Sequence, residues 1–118
     1  MAISEAYANT QSVTTTEHSL PNDATYDAGA VITTDGVYQV FLDLNALADG
    51  DIFQFRAYEK VQSSDTVRPF YEVNFANAQG NVDNWCSPSF ILLHGWDFTL
   101  LRKAGSDRTI TWSIRKVA

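Results

Sequence analysis

Gly36-Val37-Tyr38-Gln39-Val40-Phe41-Leu42-Asp43-Leu44 is the stretch from which the rest of the chain is read. Tyr38, Val40, Leu42 and Leu44 fall on one face of an extended backbone, while Gln39 and Asp43 share the other with Val37 and Phe41. Side chains alternate across a strand with a period of two, so the pattern predicts a strand with one face in a core. Thr34-Asp35-Gly36 ahead of it is a turn signal, because glycine supplies positive φ without a Cβ clash. Asn45 to Asp51 behind it is a polar break that ends on Asp49-Gly50-Asp51.

Downstream the same period recurs. Ile52 to Val61 alternates with Phe53, Phe55, Ala57 and Val61 opposite Gln54, Arg56, Tyr58 and Lys60. Ser63 to Thr66 makes a hairpin connection, and Arg68 to Phe75 returns with Tyr71, Val73 and Phe75 on one face. Pro69 near its start places that strand at a sheet edge, where a missing N–H costs least. Ala76 to Pro88, rich in Asn, Gly and Asp, reads as the longest loop. Phe90 to Leu93 is a continuous apolar run, the pattern of a strand buried on both faces. Trp96 to Lys103 and Thr109 to Val117 alternate again, with Trp96, Phe98, Leu100 and then Ile110, Trp112, Ile114 inward. Ala104 to Asp107 turns the chain between them.

Upstream the signal weakens. Val13 to Leu20 is Thr-rich and predicted extended, since a branched Cβ fits the pleat. Residues 1–12 are small and polar, with Ile3 and Tyr7 as the sizeable apolar side chains. They read as an N-terminal arm that lies on something else, leaving residues 13–118 as one domain. The sum is about eight strands and no amphipathic helix of ten residues. The expected fold is an all-β antiparallel sandwich, jelly-roll or Greek-key like.

The chain has 118 residues, with 45% apolar and 19% charged side chains, which is globular composition and excludes a disordered tail. Met1 to Glu5 shows no basic, apolar leader, so no secretory signal is expected, and no run is long enough to span a membrane as a helix. The single cysteine, Cys86, excludes an internal disulfide and a cysteine-rich zinc site, which fits a reducing cytoplasm. Net charge is −6, and it is unevenly spread. Eight acids and no Lys or Arg precede Arg56, whereas all eight bases and six acids lie from Arg56 onward. Nucleic-acid binders concentrate positive charge to displace counterions, so no nucleic-acid partner is expected. The asymmetry reads as a solvated acidic face, or as complementarity between copies or toward a basic partner.

Chemistry-bearing patterns are sparse. His18 and His94 sit in a Thr-rich strand and beside a glycine, and Cys86 next to Trp85 reads as a packed small residue. His94-Gly95 lacks the nucleophile elbow that an esterase oxyanion loop accompanies. Asp49-Gly50-Asp51 lacks the further oxygen ligands of a calcium loop and reads as a turn. No phosphate-binding, dinucleotide or zinc-protease motif is present. The chain is therefore expected to be no enzyme and to need no cofactor or metal. Trp85 and Tyr26 lie in loops, where such rings stack on sugars, anchor an interface, or cap the open ends of a sandwich.

Four stretches taken together are distinctive: Gly36 to Leu44, Phe55-Arg56-Ala57-Tyr58-Glu59-Lys60, Ser87 to Asp97, and Asp107 to Arg115. They resemble a family of small proteins of tailed bacteriophages that are encoded beside head genes. The resemblance covers most of the chain after residue 35, and its motifs are strand cores and turns. It implies a virion protein of the head decoration (cement) class, clamping neighbouring capsid subunits from outside. The implied partner is the major capsid protein of a phage head, with a homo-oligomer (dimer or trimer) bridging several subunits to gain avidity. The implied location is the capsid surface, after synthesis in the bacterial host cytoplasm. An acidic protein is repelled by packaged DNA, which suits the outside of a shell. Ile3 and Tyr7 would anchor the arm on a neighbour's sheet edge, and Arg102, Lys103 and Arg108 would form a basic docking patch. A tail, connector or head-completion component fits the same features. So does a carbohydrate- or receptor-binding module that uses Trp85 and Tyr26.

Overall fold

The alternating stretch becomes strand β4 (Gly36–Asp43), with Tyr38, Val40 and Leu42 buried and Asp43 exposed. In the computed structural model, which describes residues 2–117, nine further strands surround it. They are β1 (Ile3–Val13), β2 (His18–Ser19), β3 (Ala24–Thr25), β5 (Ile52–Glu59) and β6 (Arg68–Ala76), then β7 (Asn84–Cys86), β8 (Phe90–Leu92), β9 (Trp96–Ala104) and β10 (Arg108–Val117).

Every pairing is antiparallel, and the strands divide into two five-stranded sheets. The first runs β1-β10-β4, with β7 and β8 end to end along the far edge of β4; the second runs β3-β2-β9-β5-β6. The pairings are nested: β1 with β10, β2 with β9, β4 with β7 and β8, β5 with β6, and successive pairs lie in alternate sheets. Val40, Leu42, Trp112 and Ile114 from one sheet meet Phe53, Phe55, Phe98 and Leu100 from the other in a single core. Trp96 joins the layers, packing on Tyr38 with ring centroids 4.4 Å apart and donating its indole N–H to the Thr34 carbonyl.

Residues 3–12 are not an arm. They form most of β1, paired with β10 from Ile3↔Val117 to Val13↔Arg108, so the expected boundary at residue 12 falls inside a strand. The polar sequence concealed this because β1 is at the rim of the sandwich. Only Tyr7 and Val13 among its inward side chains reach the core, while Asn9 and Gln11 bond Asp23 on the β2–β3 hairpin. Asp23 also holds the His18 ring at 2.9 Å, so one carboxylate closes this side with three partners. Met1 lies outside the described residues.

Other expectations shift for local reasons. The Thr-rich segment divides, because the chain leaves the first sheet at Val13 and joins the second at His18. The long loop contains β7, paired with Phe41 to Asp43. Val61, expected inward, is exposed, because β5 ends at Glu59 and Val61 lies in the turn beyond it; Tyr58, on the outward face, is buried under the stacked ring of Tyr26. The 90–93 run is buried on one face only: Phe90 and Leu92 point inward, while Ile91 and Leu93 face solvent. In β9 the reverse holds, since Trp96 to Leu101 are all buried and the strand is covered on both faces. The tight β9–β10 turn requires Gly105, whose φ is +86° and whose missing Cβ would meet Asp51 Oδ1 at 2.1 Å.

Candidate functional site

The cross-strand register aligns four branched apolar residues in one row on the outer face of the first sheet. Ile3 stands opposite Val117, Val117 opposite Val37, and Val37 opposite Ile91. Their neighbours Tyr38, Phe90 and Leu92 point into the core, so these four point away from it. Directly opposed β-branched residues pack on one another in a sheet, which makes the row a continuous ridge. It crosses β1, β10, β4 and β8, a span of about 15 Å at ordinary strand spacing. Ile3 is 71% exposed and Ile91 83%.

Beyond Ile91 the row turns the corner of the sandwich. Val61 (82% exposed), Leu93 (53%) and Phe70 (49%) continue it toward β6. Together with Ile91 and the rim residues Glu59, Lys60 and His94 they line an open groove of about 570 Å³. On the other side, Ile3, Val37, Phe41 and Val117 line a depression of about 180 Å³, and Ser89 borders both hollows. The corner is held in place. Glu59 accepts the backbone N–H groups of Leu93 at 2.6 Å and His94 at 3.1 Å, and Phe70 packs edge-on against the core ring of Phe90. Contiguous exposed apolar surface with a charged rim is the form of an interaction site.

Of the residues expected to act, Ile3 belongs to this row, whereas Tyr7 does not. Tyr7 packs edge-on against Trp96 at 6.1 Å as part of the core wall. Arg102, Lys103 and Arg108 gather about the β9–β10 turn, but two of them are engaged within the chain. Arg102 bonds Asp107 at 2.7 Å and the Gly105 carbonyl, and Arg108 bonds Asp51 at 2.7 Å. Lys103 is exposed. The Arg108 guanidinium and the backbone N–H groups of Ala48 and Ser106 hold the Asp51 carboxyl down at about 2. This end of the sandwich is thus clamped by charge, and only Lys103 of the three presents itself freely to a partner. Trp85 packs against Phe75 and Phe55 at 5.0 and 5.3 Å, and Tyr26 stacks on Tyr58 at 4.5 Å. Trp85, in β7, lies between the sheets, and Tyr26 covers the outer face of the second sheet.

The most perturbed acid lies on the opposite sheet. Asp97 is fully buried, and its Oδ1 accepts from Ser19 Oγ at 2.7 Å and the Phe98 N–H at 2.8 Å, while its Oδ2 has no partner. Burial pushes its carboxyl up to about 7. Glu17 lies nearby, accepting from Tyr58 Oη at 2.6 Å and Thr99 Oγ1 at 2.5 Å. Burial and that bond to Glu17 raise the Tyr58 phenol to about 12. A buried acid with a raised pKa is a catalytic signature only where substrate can reach it. Asp97 has no surface open to solvent. Among the described residues no group of three or more His, Cys, Asp or Glu is placed to share a metal ion, and no helix is long and apolar enough to cross a membrane.

Half of the row was visible in the sequence: Ile3 as a sizeable apolar side chain in a polar segment, and Val37, which with Phe41 interrupts the polar face of the 36–44 stretch. Ile91 was hidden because a continuous apolar run does not say which of its residues face out. Compared with family models, curated proteins and solved structures, this chain finds no match.

Proposed function

We propose that this chain is a non-enzymatic structural virion protein that binds the outside of a bacteriophage capsid, stabilises it, and docks through the apolar row. The single observation that carries the reading is the row Ile3–Val117–Val37–Ile91 with its extension to Leu93, Phe70 and Val61. Burying such a surface against a partner gains roughly 25 cal/mol per Å², and a groove without a convergent polar centre suits a protein partner better than a small substrate. The nested strand pairing supports reading the sandwich as a jelly roll, an architecture used by viral capsid proteins and lectins. The net charge of −6 supports the outer surface rather than contact with packaged DNA. The partner in this reading is the major capsid protein, and many weak contacts around a shell add by avidity.

The test is quantitative mass spectrometry of purified particles from a phage that encodes this chain. Copies in fixed ratio to the major capsid protein are expected, and Ile91→Asp is expected to leave the particle without its share. A handful of copies per particle would move the protein to the tail, connector or head-completion machinery. Absence from the particle would overturn the virion reading.

A further inference from the structure

The two sheets have four edges, and three of them are blunted. β3 is two residues long, and β7 and β8 are three each with Pro88 between them. β6 is longer, but it carries Arg68, Pro69 and Glu72 and a register shift opposite Ala57/Tyr58. Short strands, prolines, charges and bulges are how natural sheets prevent an edge from pairing with another chain. The fourth edge, β1, has none of these over most of its length. It runs for eleven residues with no proline, no Lys or Arg, and one charge, Glu5. Its one irregularity, between Glu5 and Tyr7, leaves Tyr7 to Val13 regular.

We infer that β1 is a self-association edge, pairing antiparallel with β1 of a second copy of this chain. The orientation of the peptide groups agrees. The Thr10 N–H donates to the Asn9 side chain at 2.8 Å, which marks it as turned away from β10. Peptide groups alternate along an antiparallel strand, so Ala8 and Ser12 also aim theirs outward. The sequence agrees as well. Read against itself about Ala8, with Ala6 bulged out of the ladder, the strand sets Tyr7 opposite Asn9, Glu5 opposite Thr10, and Ser4 opposite Gln11. No like charges meet, and a two-fold axis there closes the edge instead of propagating it into a fibre. The product is a sheet continuous across two molecules, with each apolar row running outward from the β1 seam. The inference does not depend on what those rows dock on.

The experiment uses the purified full chain and sedimentation at micromolar concentrations. Wild type is expected at twice the 13.1 kDa of one chain. A residue on the two-fold axis meets its own copy, so Ala8→Lys and Ala8→Glu are each expected to sediment as monomers with unchanged circular dichroism. Mixing the two variants is expected to restore a dimer, an outcome that a merely misfolded pair would not give. Amide exchange at Ala8 and Ser12 is expected to be slow in wild type and fast in either variant. A wild-type monomer, a trimer, or a dimer indifferent to charge at residue 8 would each overturn the inference.

Discussion

Over the outside of β9, Glu17 and the ring of Tyr26 lie against Tyr58 and Thr99, and the Ile32 backbone bridges to Trp96. Across the outside of β4, Val37 and Phe41 keep part of their surface in water, beside an Ile91 almost fully in it. The chain has spent its long early segment on one sheet and left the other bare. On the covered side the buried groups are polar: Asp97, Thr99 and Ser19. On the bare side the exposed groups are apolar. Buried polar and exposed apolar residues are the informative departures from the ordinary rule. One side has been completed by its own chain, and the other keeps apolar side chains in water.

The sharpest way to probe the covered side is through Asp97. Its carboxyl holds a proton to about 7 in the folded chain, against 3.8 as a free group. Between those values the folded state binds more protons than the unfolded one, so stability falls as pH rises from about 4 to about 7, then levels. The fall amounts to a few kcal/mol at most, at roughly 1.4 kcal/mol per unit. Urea denaturation across that range is expected to record it in wild type and to find it flattened in Asp97→Asn. A wild-type profile that is flat or rises there would remove the reason for calling the burial costly. Asp51, held down to about 2 by Arg108, works in the opposite sense and at lower pH: its stabilisation is present above 3.8 and is lost as pH falls through about 2.

Glu17→Ala gives the next largest effect. It leaves Tyr58 Oη and Thr99 Oγ1 without their acceptor, at an expected cost of about 1–3 kcal/mol. Chemical denaturation measures this directly, and a loss below about 0.5 kcal/mol would mean that Glu17 does not tie the cover down. The smallest effect on stability belongs to the bare side. Ile91→Ser is expected to change unfolding free energy by no more than about 0.5 kcal/mol, because the side chain is already in water. A large loss would mean that the row serves the fold of the single chain, and the contrast between the faces would dissolve.

The sandwich was legible wherever one face alternated. Tyr38 to Leu42, Phe53 to Ala57 and Ile110 to Ile114 are buried in the predicted phase, and Pro69 marks a true edge. What escaped was set by contacts distant in sequence. Asn9 and Gln11 occupy inward positions of β1 because Asp23 comes from another hairpin to receive them. Arg108 is tied to Asp51, 57 residues away, so a basic cluster read along the chain became a set of internal ion pairs. Covering of β9 likewise depends on a segment whose own sequence carries no period.

The register Ile3↔Val117 also has a temporal side. A ribosome delivers β1 before any other strand and β10 after every other, so β1 waits through synthesis of the whole sandwich for its partner. β4 waits as well, since β10 lies between the two. Non-local pairings of this kind make folding slow, because loop closure precedes any reward. The sheet that bears the apolar row is therefore the last part of the molecule to exist as a surface. Until β10 is in place Val117 does not join Ile3 to Val37, and only the end of the row from Val37 through Ile91 to Val61 is assembled.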